Sequence, residues 1–152
     1  MPELRTATPA DAAAIRELVR AAYGKWVPLI GREPKPMTAD YDRAVREHVV
    51  FVLEEEDRLL GVLVIIPGDD HLLIENVAVA PTAQGRGIGQ RLMAHAETLA
   101  RARPVDELRL YTNERFEANI RLYERLGYAI YNRERMGAGV AVWMRKHMLP
   151  DS

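Results

Sequence analysis

Gln84-Gly85-Arg86-Gly87-Ile88-Gly89 is the stretch of this chain best suited to chemistry. Three glycines alternate there, between an apolar run, Leu72 to Val79, and a helical pattern beginning near Ile88. Glycine tolerates positive φ and lets a ligand come close to the backbone. The first N–H groups of a helix lack intrahelical partners and carry the positive end of its dipole, so a helix start attracts anions. This spacing therefore predicts a site for a phosphate-bearing molecule. Two common phosphate loops do not match. A P-loop needs Gly-x-x-x-x-Gly-Lys-Ser/Thr, which is absent. A dinucleotide fingerprint needs Gly-x-Gly-x-x-Gly, but its third position falls on Gln90 counted from Gly85 and on Leu92 counted from Gly87.

The elements that must position this loop can be read from periodicity. Leu4 to Ala7 predicts a short first strand. Thr8-Pro9-Ala10-Asp11 is a helix start, with Thr8 as N-cap and Pro9 at the first helical position. The stripe Ile15, Leu18, Val19, Ala22 continues it. Gly24 to Met37 holds three prolines and two glycines and reads as a loop. Thr38 is the expected N-cap of a second helix running to about His48. Val49 to Glu54 and Leu59 to Ile66 read as a hairpin across Glu55-Glu56-Asp57-Arg58, without an Asn-Gly turn. Leu72 to Val79 is apolar on nearly both faces, as a central strand is, and Pro81 ends it. Ile88, Leu92, Ala96 and Leu99 form one helical stripe, opposite Gln90, Arg91, Glu97 and Arg101, with Pro104 as the stop. Leu108 to Thr112 is the next strand and Glu117 to Leu126 a helix capped by Gly127. Strands at about Tyr128 to Arg135 and Val140 to Lys146 close the chain. The order β-α-α-β-β-β-α-β-α-β-β predicts an α/β protein with a mixed sheet and helices on both faces.

Composition narrows the class. A chain of 152 residues is expected to fold as a single domain, 1-152, with a proper core. The net charge of −1 gives no global case for nucleic acid or a membrane surface as partner. The chain has no cysteine, so disulfides, thiol catalysis and thiolate metal sites are excluded, and its four histidines lack ligand spacing. No metal is expected. No apolar run nears a membrane span, and the start of the chain lacks the apolar core of a signal peptide, so a cytoplasmic location is expected.

Gln84-Gly85-Arg86-Gly87-Ile88-Gly89 also matches Gln/Arg-x-x-Gly-x-Gly/Ala, the signature of the GNAT-superfamily N-acetyltransferases. Val77-Ala78-Val79-Ala80-Pro81 resembles the strand leading into that signature, and Leu122-Tyr123-Glu124-Arg125-Leu126-Gly127-Tyr128 resembles the family's second motif. Separation and element order agree, so the resemblance covers nearly the whole chain. It implies a GNAT-like acyl-CoA N-acyltransferase fold and an acetyl-CoA-dependent enzyme that passes acetyl directly to a primary amine. Transfer of another acyl group, or a silent acyl-CoA sensor, are the alternatives. The resemblance also implies that N–H groups from Gly85 to Gly89, with Gln84, Ile88 and the charge of Arg86, hold the cofactor's pyrophosphate. The pantetheine arm would run along Val77, Ala78 and Val79 as a peptide runs along an exposed strand edge. That requires the strand to part from Leu108–Thr112, often with a bulge.

The implied chemistry asks for particular side chains. An amine resembling lysine, with a pKa near ~10.4, must lose a proton before attack. Glu75, two residues before Val77, is the candidate base; its structural alternative is a strand-edge glutamate paired with an arginine. His71 is a second candidate. Val77 N–H is a candidate oxyanion donor. Tyr123 is the implied acid for the leaving thiolate, or else a packed aromatic. Asn119, one turn earlier on that helix, reaches the pantetheine or caps the helix. Many relatives carry an asparagine seven residues before the tyrosine; Phe116 stands there instead, and Asn113 is the alternative, or a turn residue. The segment Gly24 to Tyr41 falls where the family's acceptor-facing segment lies. Trp26 and Met37 wall a pocket or anchor the loop, Arg32 binds an acceptor carboxylate or is merely solvated, and Lys35 and Tyr41 complete the set. Tyr131, Arg133 and Arg135 are further acceptor contacts or a charged strand face. The acceptor is a small amine, an amino acid, a protein N-terminus or a lysine, and the late strands suit a homodimer.

Overall fold

The computed structural model describes residues 2–103 and 105–148. Seven strands form one sheet: β1 (Glu3–Thr6), β2 (Val49–Glu55), β3 (Arg58–Pro67), β4 (His71–Val79), β5 (Glu107–Asn113), β6 (Ala129–Met136) and β7 (Gly139–His147). Their order is β1-β2-β3-β4-β5-β7-β6. Only β4 and β5 are parallel; the other neighbours are antiparallel. The long helices are α1 (Ala12–Tyr23), α3 (Tyr41–Glu47), α4 (Ile88–Ala102) and α5 (Glu117–Arg125), with a one-turn α2 (Val27–Ile30) between the first two. The mixed α/β architecture is the expected one, with α2 added.

Two cores share the sheet. On one face Ile15, Leu18 and Val19 of α1 and Tyr41 and Ala44 of α3 cover Val50, Val52, Val62 and Val64. On the other, Ile88, Leu92, Met93, Ala96 and Ala100 of α4 cover Leu53, Leu63, Ile65, Leu72 and Leu108. The expected α4 stripe is thus mostly right, with Ala100 buried where Leu99 is only partly so. α4 presses hard on β3 at Gly61, where a Cβ would come 2.7 Å from Ile88 Cγ2. Pro104, the expected stop of α4, lies outside the described residues.

Several local expectations change. Gly24 to Met37 is not irregular throughout: 3-10 turns at Gly24–Trp26 and Lys35–Thr38 flank α2. Pro28 suits the first turn of α2, and left-handed Gly31 (φ 73°) ends it by donating its N–H to Val27 O at 2.8 Å. The cap of α3 is Asp40, not Thr38: Asp40 Oδ1 accepts the N–H of Arg43 at 3.1 Å, while Thr38 is spent in the preceding turn. The β2–β3 connection is a two-residue turn at Glu56 and Asp57, both with positive φ (51° and 61°). Hairpin twist demands that turn geometry even without glycine. At the chain start Pro9–Asp11 forms a 3-10 turn capped as expected, with Thr8 N–H donating to Asp11 Oδ2 at 2.7 Å.

Candidate active site

The parting of β4 from β5 creates the site. These strands pair only from His71/Glu107 to Ile74/Leu110. At that point β4 also holds a bulge: Val64 faces Asn76 but its neighbour Ile65 faces Ile74, so Glu75 is the extra residue. A bulge raises local twist and re-aims side chains. Leu72 and Ile74 sit in the α4 core; past the bulge Val77 and Val79 pack on that core while Ala78 joins the α1 core. From Glu75 onward, β4 has no strand partner on its β5 side.

Two cavities occupy the opening. The first is a groove of about 500 Å³ lined by Val77, Ala78, Val79, Gln84, Gly85, Gly87, Ile88 and Gly89, with Lys25 and Trp26 opposite. Gly85 (φ 83°) and Gly87 (φ 76°) are left-handed, and Gly87 caps α4. That geometry, unfavourable for other residues, turns the chain so that the open first turn of a 15-residue helix faces the groove. Arg86 does not line the groove; its guanidinium lies 3.1 Å from Glu55 Oε1. The groove offers what a pyrophosphate and a peptide-like arm require, namely unpaired helix N–H groups and an unpaired strand edge. Its residues fit coenzyme A.

The second cavity, about 350 Å³, is lined by Glu75, Asn76, Tyr111, Asn113, Phe116 and the Arg32–Pro36 segment, among others. Tyr23, Val77, Asn119 and Tyr123 line both cavities and mark where they meet. Burial pushes the Tyr123 phenol up to about 12, so it keeps its proton at neutral pH. Its hydroxyl has no protein partner among the described residues, which leaves it free to donate. Glu75 Oε1 accepts the Tyr111 hydroxyl at 3.1 Å. Burial, followed by the Glu75 charge, raises the Tyr111 phenol well above its ordinary value. The arginine partner considered for Glu75 does not occur among the described residues.

Behind the bulge lies a polar chain. Tyr23 donates to Asn76 Oδ1 at 2.8 Å, Asn76 Nδ2 donates to the Tyr41 hydroxyl at 3.0 Å, and Tyr41 donates to Pro36 O at 2.6 Å. Tyr41 is therefore a buried strut beneath the Arg32–Pro36 segment, and Met37 is buried as well. Trp26 stacks on Phe116 with centroids 4.4 Å apart, which holds the α1–α2 junction against the start of α5. His71 lies at the far end of β4, paired with Asp70 at 2.8 Å and away from both cavities. Asn113 Oδ1 accepts the N–H of Arg115 at 2.9 Å, the turn role considered for it. Tyr131, Arg133 and Arg135 lie on the exposed edge strand β6 and line neither cavity.

Tyr23, Asn76 and Tyr111 were not singled out from the sequence. For Tyr111 the signal existed: Leu108 and Leu110 alternate into the core, which puts Arg109, Tyr111 and Asn113 on the other face. For Tyr23 no local signal existed, because its role depends on α1 crossing β4.

Comparison with known proteins agrees with this geometry. The sequence profile of the acetyltransferase (GNAT) family matches residues 12–128. Streptothricin acetyltransferase of Streptomyces lavendulae is 39% identical over 61 residues, which is 40% of this chain and only 32% of that protein. The PaiA N-acetyltransferase of Thermoplasma acidophilum, solved with coenzyme A, superposes with a TM-score of 0.81 at 15% identity, covering 97% of this chain and 99% of that one. The ribosomal-protein-S18-alanine N-acetyltransferase of Escherichia coli gives 0.77 at 19% identity, covering 100% and 97%. With the profile spanning most of the chain and the fold shared end to end, this chain belongs to the GNAT family of acetyltransferases.

Proposed function

We propose that the chain transfers acetyl from acetyl-CoA directly to a primary amine bound in the Glu75–Tyr111 cavity. The meeting of the two cavities at Val77, Asn119, Tyr123 and Tyr23 carries this reading, because acyl transfer needs both reactants at one point. The helix N–H groups after Gly87 would hold the pyrophosphate and the open edge of β4 the pantetheine. Acetyl-CoA supplies an activated thioester carbonyl. The amine nitrogen attacks that carbon, the C–S bond breaks, and an amide forms. Glu75, directly or through one water, takes the amine proton. The Tyr123 hydroxyl donates its proton to the departing sulfur and regains one from solvent. Val77 N–H on the unpaired edge is the donor for the oxygen that gains charge.

The test is thiol release from acetyl-CoA with a panel of amines, streptothricin included. Tyr123→Phe should lower kcat by about 10²-fold or more while coenzyme A still raises Tm. An unchanged kcat removes Tyr123 as the acid. If coenzyme A raises Tm but no amine releases thiol, the chain is a sensor rather than a transferase.

A further inference from the structure

The cavity that contains Glu75 is also lined by two side-chain donors, on Arg32 and Asn113, that come together beside Gly139. A Cβ on Gly139, at the start of β7, would lie 2.6 Å from Arg32 Nη2 and 3.2 Å from Asn113 Nδ2. Asn113 has its oxygen committed to Arg115 N–H, so its nitrogen faces this point. Arg32 has no carboxylate partner among the described residues, although its neighbour Glu33 is bound to Arg20. All three residues, Arg32, Asn113 and Gly139, line the cavity that contains Glu75. A guanidinium and an amide nitrogen side by side, neither with an acceptor among the described residues, favour a planar two-oxygen anion. Glycine at 139 leaves room for the Arg32 guanidinium, which a Cβ would displace.

The spacing to Glu75 restricts the molecule further. Tyr111, whose hydroxyl binds Glu75, and Asn113 are two residues apart on β5 and share a face, so their backbones are one strand repeat, about 7 Å, apart and the two groups sit at separate places in the cavity. From these observations we propose that the acceptor carries a carboxylate, bound by Arg32 and Asn113, well separated from the amine that meets Glu75. An ω-amino acid, or lysine presenting its side-chain amine, separates the two groups in this way. An α-amino acid presenting its α-amine does not. The volume of about 350 Å³ sits at the small end of small-molecule sites and suits such a ligand. This rests on the transferase reading above.

The experiment compares ε-aminocaproate, its neutral amide ε-aminocaproamide, and glycine as acceptors, with acetyl-CoA saturating. The acid should exceed the amide in kcat/KM by roughly tenfold to hundredfold, as a charge-assisted pair requires, and should exceed glycine as well. Arg32→Met should bring the acid-to-amide ratio near one, mostly through KM, and Arg32→Lys should recover part of it. An amide as good as the acid, or a ratio that survives Arg32→Met, overturns the carboxylate site while leaving the transferase reading standing. Glycine outperforming the acid overturns the spacing. Thiol release from no amine at all overturns the transferase reading and this inference with it.

Discussion

At the scale of single residues, Glu75 is the most informative side chain. It is the bulged residue of β4, it accepts from Tyr111, and it lines the cavity proposed for the acceptor. Glu75→Gln keeps a hydrogen-bond acceptor for Tyr111 and removes the charge. We expect kcat/KM to fall about 10²-fold and the acid limb of the pH profile to flatten, measured by thiol release across pH. A pH profile of unchanged shape would exclude Glu75 as the base. The sequence made Glu75 visible because a glutamate among Ile74, Asn76 and Val77 interrupts an apolar strand. It made Tyr123 and the glycine loop visible through motif. It could not reveal that Tyr41 is a strut rather than a pocket wall, since an aromatic at a helix start reads the same either way. Nor could it show that Arg86 pairs with Glu55, because the hairpin that presents Glu55 is distant in sequence.

At the scale of elements, the proposed function rests on two irregularities. One is the left-handed turn at Gly85 and Gly87 that feeds α4. A Cβ at Gly87 meets open space, so Gly87→Ala costs backbone conformation alone, about 1 kcal/mol in urea denaturation. If that conformation presents the helix N–H groups, the same substitution should weaken coenzyme A binding by roughly fivefold, read by calorimetry. Unchanged affinity would mean the loop does not hold the pyrophosphate. The second irregularity is the bulge at Glu75, which sequence could only suggest. Strand residues on either side of a bulge look alike, and only the partner's register exposes the extra one. The helical turns hidden in Gly24 to Met37 escaped for a related reason. Proline and glycine there open and close one-turn helices too short for periodicity to register.

For the molecule as a whole, the first strand is fastened by one charged cluster. Arg5 on β1 reaches Asp11 at 2.8 Å and Glu54 on β2 at 3.0 Å, joining edge strand, first helix and sheet. The Arg5 guanidinium holds the Asp11 carboxyl near about 2, below its ordinary 3.8. A depressed acid stabilises the fold above its unfolded pKa, and that contribution disappears as pH falls toward its folded one. The shift amounts to about 2 kcal/mol, with Asp11 only 13% exposed. Asp11→Asn should therefore lower stability by up to that much at neutral pH. Stabilities of the two proteins from urea titrations should converge between about 3.8 and about 2. A gap that persists at the acid end would place the loss elsewhere. The succession of strands and helices, and the stripes that face the sheet, followed from alternation and helical periodicity; the spatial order β1-β2-β3-β4-β5-β7-β6 came only with the structure. So did the pairing of Arg5 with Glu54, 49 residues away, because charge spacing along a chain says nothing of which strands become neighbours.

An edge strand is usually a hazard, since its free N–H and C=O groups invite another chain to pair with it. Here the unsatisfied edge is β4, in the middle of a seven-stranded sheet and walled by α5 on one side and the α1–α2 junction on the other. The fold thus sets its open backbone edge inside a groove, where an approaching chain meets helices before it meets the edge.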